Sequence, residues 1–220
     1  MQLNQLALCG LALCTAHAAA DVSVFTDQDL FHAQTGALTI ETFENETLGE
    51  LALPAVFTSG LTAEIVSGDV ASMIEAGNPD SFGFQNTTEG GRKYLRFGQV
   101  LDTGSYSVEF TFGMSANAFG FNLSGFQPSD AAGGFNVSIF SNGQLTEDFF
   151  VPSDQPFPGV GFYGFVSSSD FDAIRINLPV LNNLSNADYV AFDDVAWGVP
   201  TPSALSLLGM AGLCLSKRRR

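Results

Sequence analysis

The sequence predicts an all-β protein: a single jelly-roll-like β-sandwich with one short helix near its start. Three observations carry this. Short apolar runs alternate with polar residues at period two. Gly, Asn and Asp recur between the runs. And 45% of the 220 residues are hydrophobic while only 14% are charged, which supplies a core large enough to offset ordering entropy. Aromatic residues make up 12%, and all 21 Phe fall between residues 25 and 192.

Taken in order, Val22-Ser23-Val24-Phe25 is the first alternating run. Thr26-Asp27-Gln28-Asp29-Leu30-Phe31 opens a helix, with Thr26 as the expected N-cap, acid in the first turn and Gly36 as the stop. Leu61–Val66 alternates ahead of Ser67-Gly68-Asp69, and Tyr94–Phe97 follows Gly90-Gly91. Ser107–Phe112 and Ala118–Leu123 alternate again. Phe135–Phe140 ends at Asn142-Gly143, a strong hairpin signal. Phe162–Val166, Ala173–Leu178 and Tyr189–Trp197 complete the set. No linker or repeat divides residues 21–198, so they read as one domain.

The charge is formally −15, from eight Lys+Arg against 23 Asp+Glu, and excludes nucleic-acid binding through a basic surface. Every acid lies between Asp21 and Asp194, where only Arg92, Lys93, Arg96 and Arg175 are basic. Lys217, Arg218, Arg219 and Arg220 hold the other positive charges at the very end.

Both ends read as addresses. Residues 1–20 pair an apolar run, Leu6–Leu13, with Ala16-His17-Ala18-Ala19-Ala20, as a signal peptide cut by signal peptidase after Ala18 or Ala20 would. The alternatives are a buried helix and a lipid anchor. Asp21 abruptly starts polar sequence, against the first; Leu precedes both Cys9 and Cys14, against the second. With Cys214 in the C-terminal apolar run, the body has no cysteine, which excludes a Cys nucleophile or Cys-based zinc site there. Residues 199–220 place Pro200 and Pro202 before an apolar stretch from Ser203 to Ser216 and the basic tail. As a helix that stretch is about 21 Å long, short for a hydrocarbon core of about 30 Å. The basic tail would stay cytoplasmic and leave the body outside.

This end resembles a PEP-CTERM sorting signal, in Pro200-Thr201-Pro202, the helix with Leu207-Leu208-Gly209, and Arg218–Arg220. The departure is Thr201, where the family usually has Glu. The resemblance implies a Gram-negative source and transient anchoring in the inner membrane. It also implies processing by an exosortase, a membrane-embedded cysteine protease of the exopolysaccharide export machinery, with release to the cell surface or extracellular matrix. The body is similar to the sandwich domains that accompany this signal, in Thr39–Glu44, Gly161–Ser167 and Ala191-Phe192-Asp193-Asp194-Val195. The Phe-Glu opening and Asp-Asp-Val ending also resemble carbohydrate-binding jelly rolls of the galactose-binding-like type.

Catalytic parts are sparse. His32 is the body's one histidine and reads as a rim residue, and no phosphate loop, zinc motif or nucleophile elbow is present. The acids point to calcium rather than catalysis. Asp193 and Asp194 sit at the last strand, one carboxylate expected inward and the next outward, and Glu44 approaches them if first and last strands are neighbours. The resembled domains place a structural Ca²⁺ between such an early Glu and late Asp. The alternative is a pair of solvated acids at a strand end. Among amphipathic rings, Tyr94, Tyr106, Tyr163, Tyr189 and Trp197 are candidates to stack on sugars, with Tyr163 and Trp197 first. Tyr163 and Phe165 are expected on opposite sides of their strand.

Three readings follow: a non-catalytic adhesive or structural protein of the exopolysaccharide matrix, a carbohydrate-binding module with a defined sugar site, and a secreted glycoside hydrolase.

Overall fold

The computed structural model describes residues 21–68, 70–77, 83–99, 105–127, 133–155, 159–178 and 189–199. The predicted leader, Pro200, Pro202, the apolar tail and Lys217–Arg220 lie outside the described residues. Among the described residues no helix is long and apolar enough to cross a membrane.

The elements are β1 (Val22–Phe25), α1 (Gln28–Thr35), β2 (Thr39–Glu41), β3 (Gly49–Glu50), β4 (Ala55–Val56), β5 (Leu61–Ser67), β6 (Val70–Ala76), β7 (Lys93–Gln99), β8 (Tyr106–Ser124), β9 (Gly134–Ser141), β10 (Gln144–Pro152), β11 (Val160–Leu178) and β12 (Tyr189–Gly198). All pairings are antiparallel. The sandwich is made by two long strands. β8 and β11, 19 residues each, pair along their length and turn a corner together, with register shifts between Val166 and Ala173. Bulges of this kind let one strand serve two layers. The first layer runs β10-β9-β11-β8-β5-β4, using the first half of β8 and the second half of β11. The second runs β1-β11-β8-β12-β7-β6-β3 on the other halves, with β2 also on β12.

The predicted alternation fills the space between the layers. Val108, Phe110, Phe119, Phe121, Leu123, Phe135, Val137, Phe165, Ile174, Ile176 and Phe192 are buried in one cluster. Ring pairs stitch the layers: Phe110 to Phe192 at 5.2 Å, Phe135 to Tyr163 at 4.9 Å, and Phe149 to Phe165 at 5.7 Å. Asn142 and Gly143 turn β9 into β10 with φ of 51° and 71°, as the Asn-Gly signal requires.

The helix is present, but its N-cap is Asp27, not Thr26. The Asp27 carboxylate accepts the Leu30 N–H at 2.9 Å and satisfies one orphan donor of the first turn. Gly36 ends it, donating its N–H to the His32 carbonyl at 2.8 Å. The helix covers the outside of the second layer. Phe31 drops into a notch made by the cross-strand partners Gly120 and Gly164, where a Cβ would lie 2.9 and 2.6 Å from the ring. Ala118 and Phe162 finish this small cluster, and His32 is half-buried at its rim.

Candidate functional site

The three acids predicted to meet hold different parts of one stretch of chain, Glu44 at Asn86, Arg92 and Lys93 and the Asp pair at Thr87 and Thr88. Residues 83–92 lead into β7 and are held from two sides. From the β2–β3 connection, Glu44 Oε1 accepts the backbone N–H of Arg92 and of Lys93, each at 2.7 Å, and the Asn86 amide at 2.9 Å. Phe43, at φ 58°, shapes the turn that delivers it, and Glu41 Oε1 accepts the Phe43 N–H at 2.6 Å. A Cβ at Gly91 would stand 2.5 Å from Glu44 Oε1, so the close approach depends on glycine there.

From β12, Asp193 Oδ2 accepts the Thr87 N–H at 2.6 Å, the Thr88 N–H at 3.3 Å and the Thr87 hydroxyl at 3.0 Å. Asp194 Oδ1 accepts the Thr88 hydroxyl at 2.6 Å, while Oδ2 faces the Thr87 hydroxyl at 2.7 Å and the Asn122 amide at 3.3 Å. The expected in-and-out alternation of this pair is corrected. Asp194 has φ 47° at a bulge in the β12–β8 ladder, and this local turn aims both carboxylates at Thr87 and Thr88. Asp193 is 2% exposed; burial pushes its carboxyl up to about 7, the Thr87 donors pull it down, and the Asp194 charge pushes it up again.

These residues do not fit a calcium cage as arranged. Glu44 Oε1 and both Asp194 oxygens already face N–H or O–H donors, which repel a cation. A cation is also in place: Lys93 Nζ donates to the carbonyls of Glu44 and Glu46 at 2.7 and 2.6 Å, taking oxygens that a divalent ion would use. Among the described residues no group of three or more His, Cys, Asp or Glu could hold a metal. Chelating calcium and then adding it back at millimolar concentration is expected to leave the melting temperature unchanged. A rise of several degrees would place an ion here after all.

The predicted sugar-stacking rings are corrected too. Tyr163 and Trp197 are each 3% exposed and belong to the core. Tyr163 shares the inner face with Phe165, since residues two apart on a strand point the same way; Phe162 takes the outer face. Its hydroxyl bonds Ser153 Oγ at 2.5 Å, and burial pushes its phenol up. Trp197 lies against Phe112, centroids 5.9 Å apart and planes 16° from parallel.

Sequence reasoning missed Asn86, Thr87, Thr88, Lys93 and Asn122. The available signal was Asn86-Thr87-Thr88 just ahead of Gly90-Gly91, residue types that bridge turns through their side chains.

No family model and no curated protein matches the chain. Among solved structures, the Stig cyclase Fisc from Fischerella sp. TAU is 12% identical over 73% of this chain and 97% of that one, with a TM-score of 0.47. The catalytic domain of a GH87 α-1,3-glucanase in complex with nigerose is 15% identical over 77% of this chain and 29% of that one, with a TM-score of 0.37. The CBM32 of AlyQ in complex with 4,5-unsaturated mannuronic acid is 18% identical over 61% and 95%, with a TM-score of 0.30. All three likenesses are distant, and none gives a residue of this chain a role.

Proposed function

We propose that the protein is an exported, non-catalytic adhesive or structural component of the cell surface or extracellular matrix, working next to exopolysaccharide. One observation carries the non-catalytic part. The acid cluster that the sequence singles out is spent on holding residues 83–92, with its carboxylates bound to backbone and hydroxyl donors. A general acid and base need carboxyls open to a substrate.

The destination rests on the two ends of the sequence. A leader over residues 1–20 directs export, and the tail from Pro200 to Arg220 fits a transient inner-membrane anchor removed by an exosortase. Polysaccharide is then the body's nearest neighbour. Many copies in one matrix would turn weak contacts into firm retention.

Polysaccharide pull-down and reducing-sugar release, run on the same full-length preparation in detergent, test the reading. Retention without release is the expected result. Release of reducing ends would make the protein a hydrolase, and neither retention nor release would remove polysaccharide from the proposal.

A further inference from the structure

The two layers have different outer faces. The second layer is capped by α1, whose Phe31 fills the Gly120–Gly164 notch. Among the described residues no helix lies on the outer face of the first layer, and its side chains form an ordered polar network. A single line of hydrogen bonds crosses five strands. Ser67 Oγ on β5 donates to Ser107 Oγ on β8 at 2.9 Å, and Ser107 Oγ to Asn177 Oδ1 on β11 at 2.7 Å. Asn177 Nδ2 donates to Ser138 Oγ on β9 at 3.1 Å, and Ser138 Oγ to Asp148 Oδ1 on β10 at 3.0 Å.

At Ser138 that line steps into the next cross-strand row, which holds Glu64, Glu109, Arg175 and Ser138. Arg175 donates twice to Glu109 Oε2, at 3.0 and 2.7 Å, and its guanidinium sits 4.6 Å from the centre of the Phe140 ring. At the β10 end, Phe150 is 48% exposed, opposite Asn136, which is also exposed.

From this arrangement we infer that the outer face of the first layer is a binding platform for an extended, neutral, hydroxyl-rich polysaccharide chain. The inference rests on the adhesive reading above and gives it a surface. The short Ser and Asn side chains of the hydrogen-bonded line leave the sheet low enough for a chain to lie on it. Four strand spacings make it about 19 Å wide, room for several sugar units. Hydroxyls need donors and acceptors together, and the face offers the Asn136 and Asn177 amides, the Arg175 guanidinium and the Glu64, Glu109 and Asp148 carboxylates. Ser107 and Ser138, only 8% and 7% exposed, are buried and serve to fix these neighbours in place. Binding therefore orders little that is not ordered already. Phe150 gives the apolar face of a sugar ring somewhere to rest. Charge selects the neutral class: the chain carries −15, and on this face Glu64, Glu109 and Asp148 outnumber Arg175, so an anionic polymer is repelled.

Affinity electrophoresis of the full chain in non-ionic detergent tests this, in gels containing hydroxyethyl cellulose, dextran or alginate. The wild-type chain is expected to be retarded by at least one neutral glucan and not by alginate. Phe150→Ala is expected to weaken retardation about fivefold, and Asn136→Ala to weaken it in the same gel. Leu30→Ala removes an exposed side chain from α1, on the capped layer, and is expected to change nothing. Melting curves check that each variant folds; should Phe150→Ala fail to fold, Asn136→Ala carries the test.

Wild-type retardation with both platform variants unchanged would overturn the platform and leave the adhesive reading standing. Equal weakening by Leu30→Ala, or retardation by alginate as strong as by the glucans, would also overturn it. No retardation of the wild-type chain in any gel would overturn the platform and remove polysaccharide from the proposed function as well.

Discussion

Replacing Phe192 with alanine is expected to remove about 3–5 kcal/mol of stability. The ring is fully buried on β12 and touches three others: Phe97 at 5.8 Å, Phe110 at 5.2 Å and Phe121 at 5.2 Å. Phe110 comes from the first layer, so Phe192 is one of the contacts that make two layers into one core. Truncation loses the transfer energy of the ring and leaves a cavity that β-strands on both sides cannot collapse to fill. Against a typical total of about 5–15 kcal/mol, that is a large fraction. Chemical denaturation should show the midpoint fall with an unchanged slope. Phe150→Ala, at the exposed edge of β10, is expected to cost far less. If Phe192→Ala cost no more than Phe150→Ala, the packing of the layers through this ring would be wrong.

Much of this fold was legible because the layers are packed by period-two patterns. Val108, Phe110 and Phe112 alternate outward with Ser107, Glu109 and Thr111, and the structure buries the apolar set as that pattern demands. What was not legible was continuity. Ser107–Phe112 and Ala118–Leu123 read as two strands, as did Phe162–Val166 and Ala173–Leu178. Each pair is one long strand bent at a corner. At a corner both faces of the strand meet water, so Gly113-Met114-Ser115 and Ser168-Ser169-Asp170 are exposed in mid-strand and look like turns. β3 and β4, two residues each, are too short to carry a period. β10 was missed although the Asn142-Gly143 signal points straight at it, because as an edge strand it keeps Glu147 and Asp148 and slips register between Leu145 and Glu147.

The site was legible in its acids and illegible in their partners. Glu44, Asp193 and Asp194 all hold one segment, but not because the first and last strands are neighbours: β1 pairs with β11, and it is β2, just ahead of Glu44, that lies on β12. Their roles depend on donors more than 100 residues away in the case of Thr87, and no spacing in the sequence reports that. The rings failed for a different reason. Tyr163 and Trp197 are amphipathic residues whose position on an alternating strand decides their fate, and both fall on the inward phase. The polar platform was invisible as a unit because its residues come singly from five strands.

The second large effect is a pH dependence centred on Asp193. Its carboxyl sits at about 7 in the folded chain, against an ordinary value of 3.8, chiefly because it is buried. Between those two values the folded state holds a proton that the unfolded chain has released. Stability from this group is therefore full below about pH 4 and is lost as pH rises toward 7. Over that window the loss is on the order of 4 kcal/mol, the Thr87 bonds to the carboxylate being already included in the shift. The measurement needs a variant in which this carboxyl alone is silenced. Asp193→Asn keeps the shape and an acceptor for the Thr87 N–H and cannot ionise. Denaturant midpoints taken from pH 4 to pH 8 should fall with rising pH in the wild-type chain and fall less in the variant. The slope is the readout, because the variant's amide NH2 meets the Asp194 N–H and lowers its stability equally at every pH. Parallel profiles would mean that Asp193 ionises freely where it sits, and that Thr87, Thr88 and the Asp194 backbone N–H, which donates to Oδ1 at 2.9 Å, repay the full cost of burying its charge.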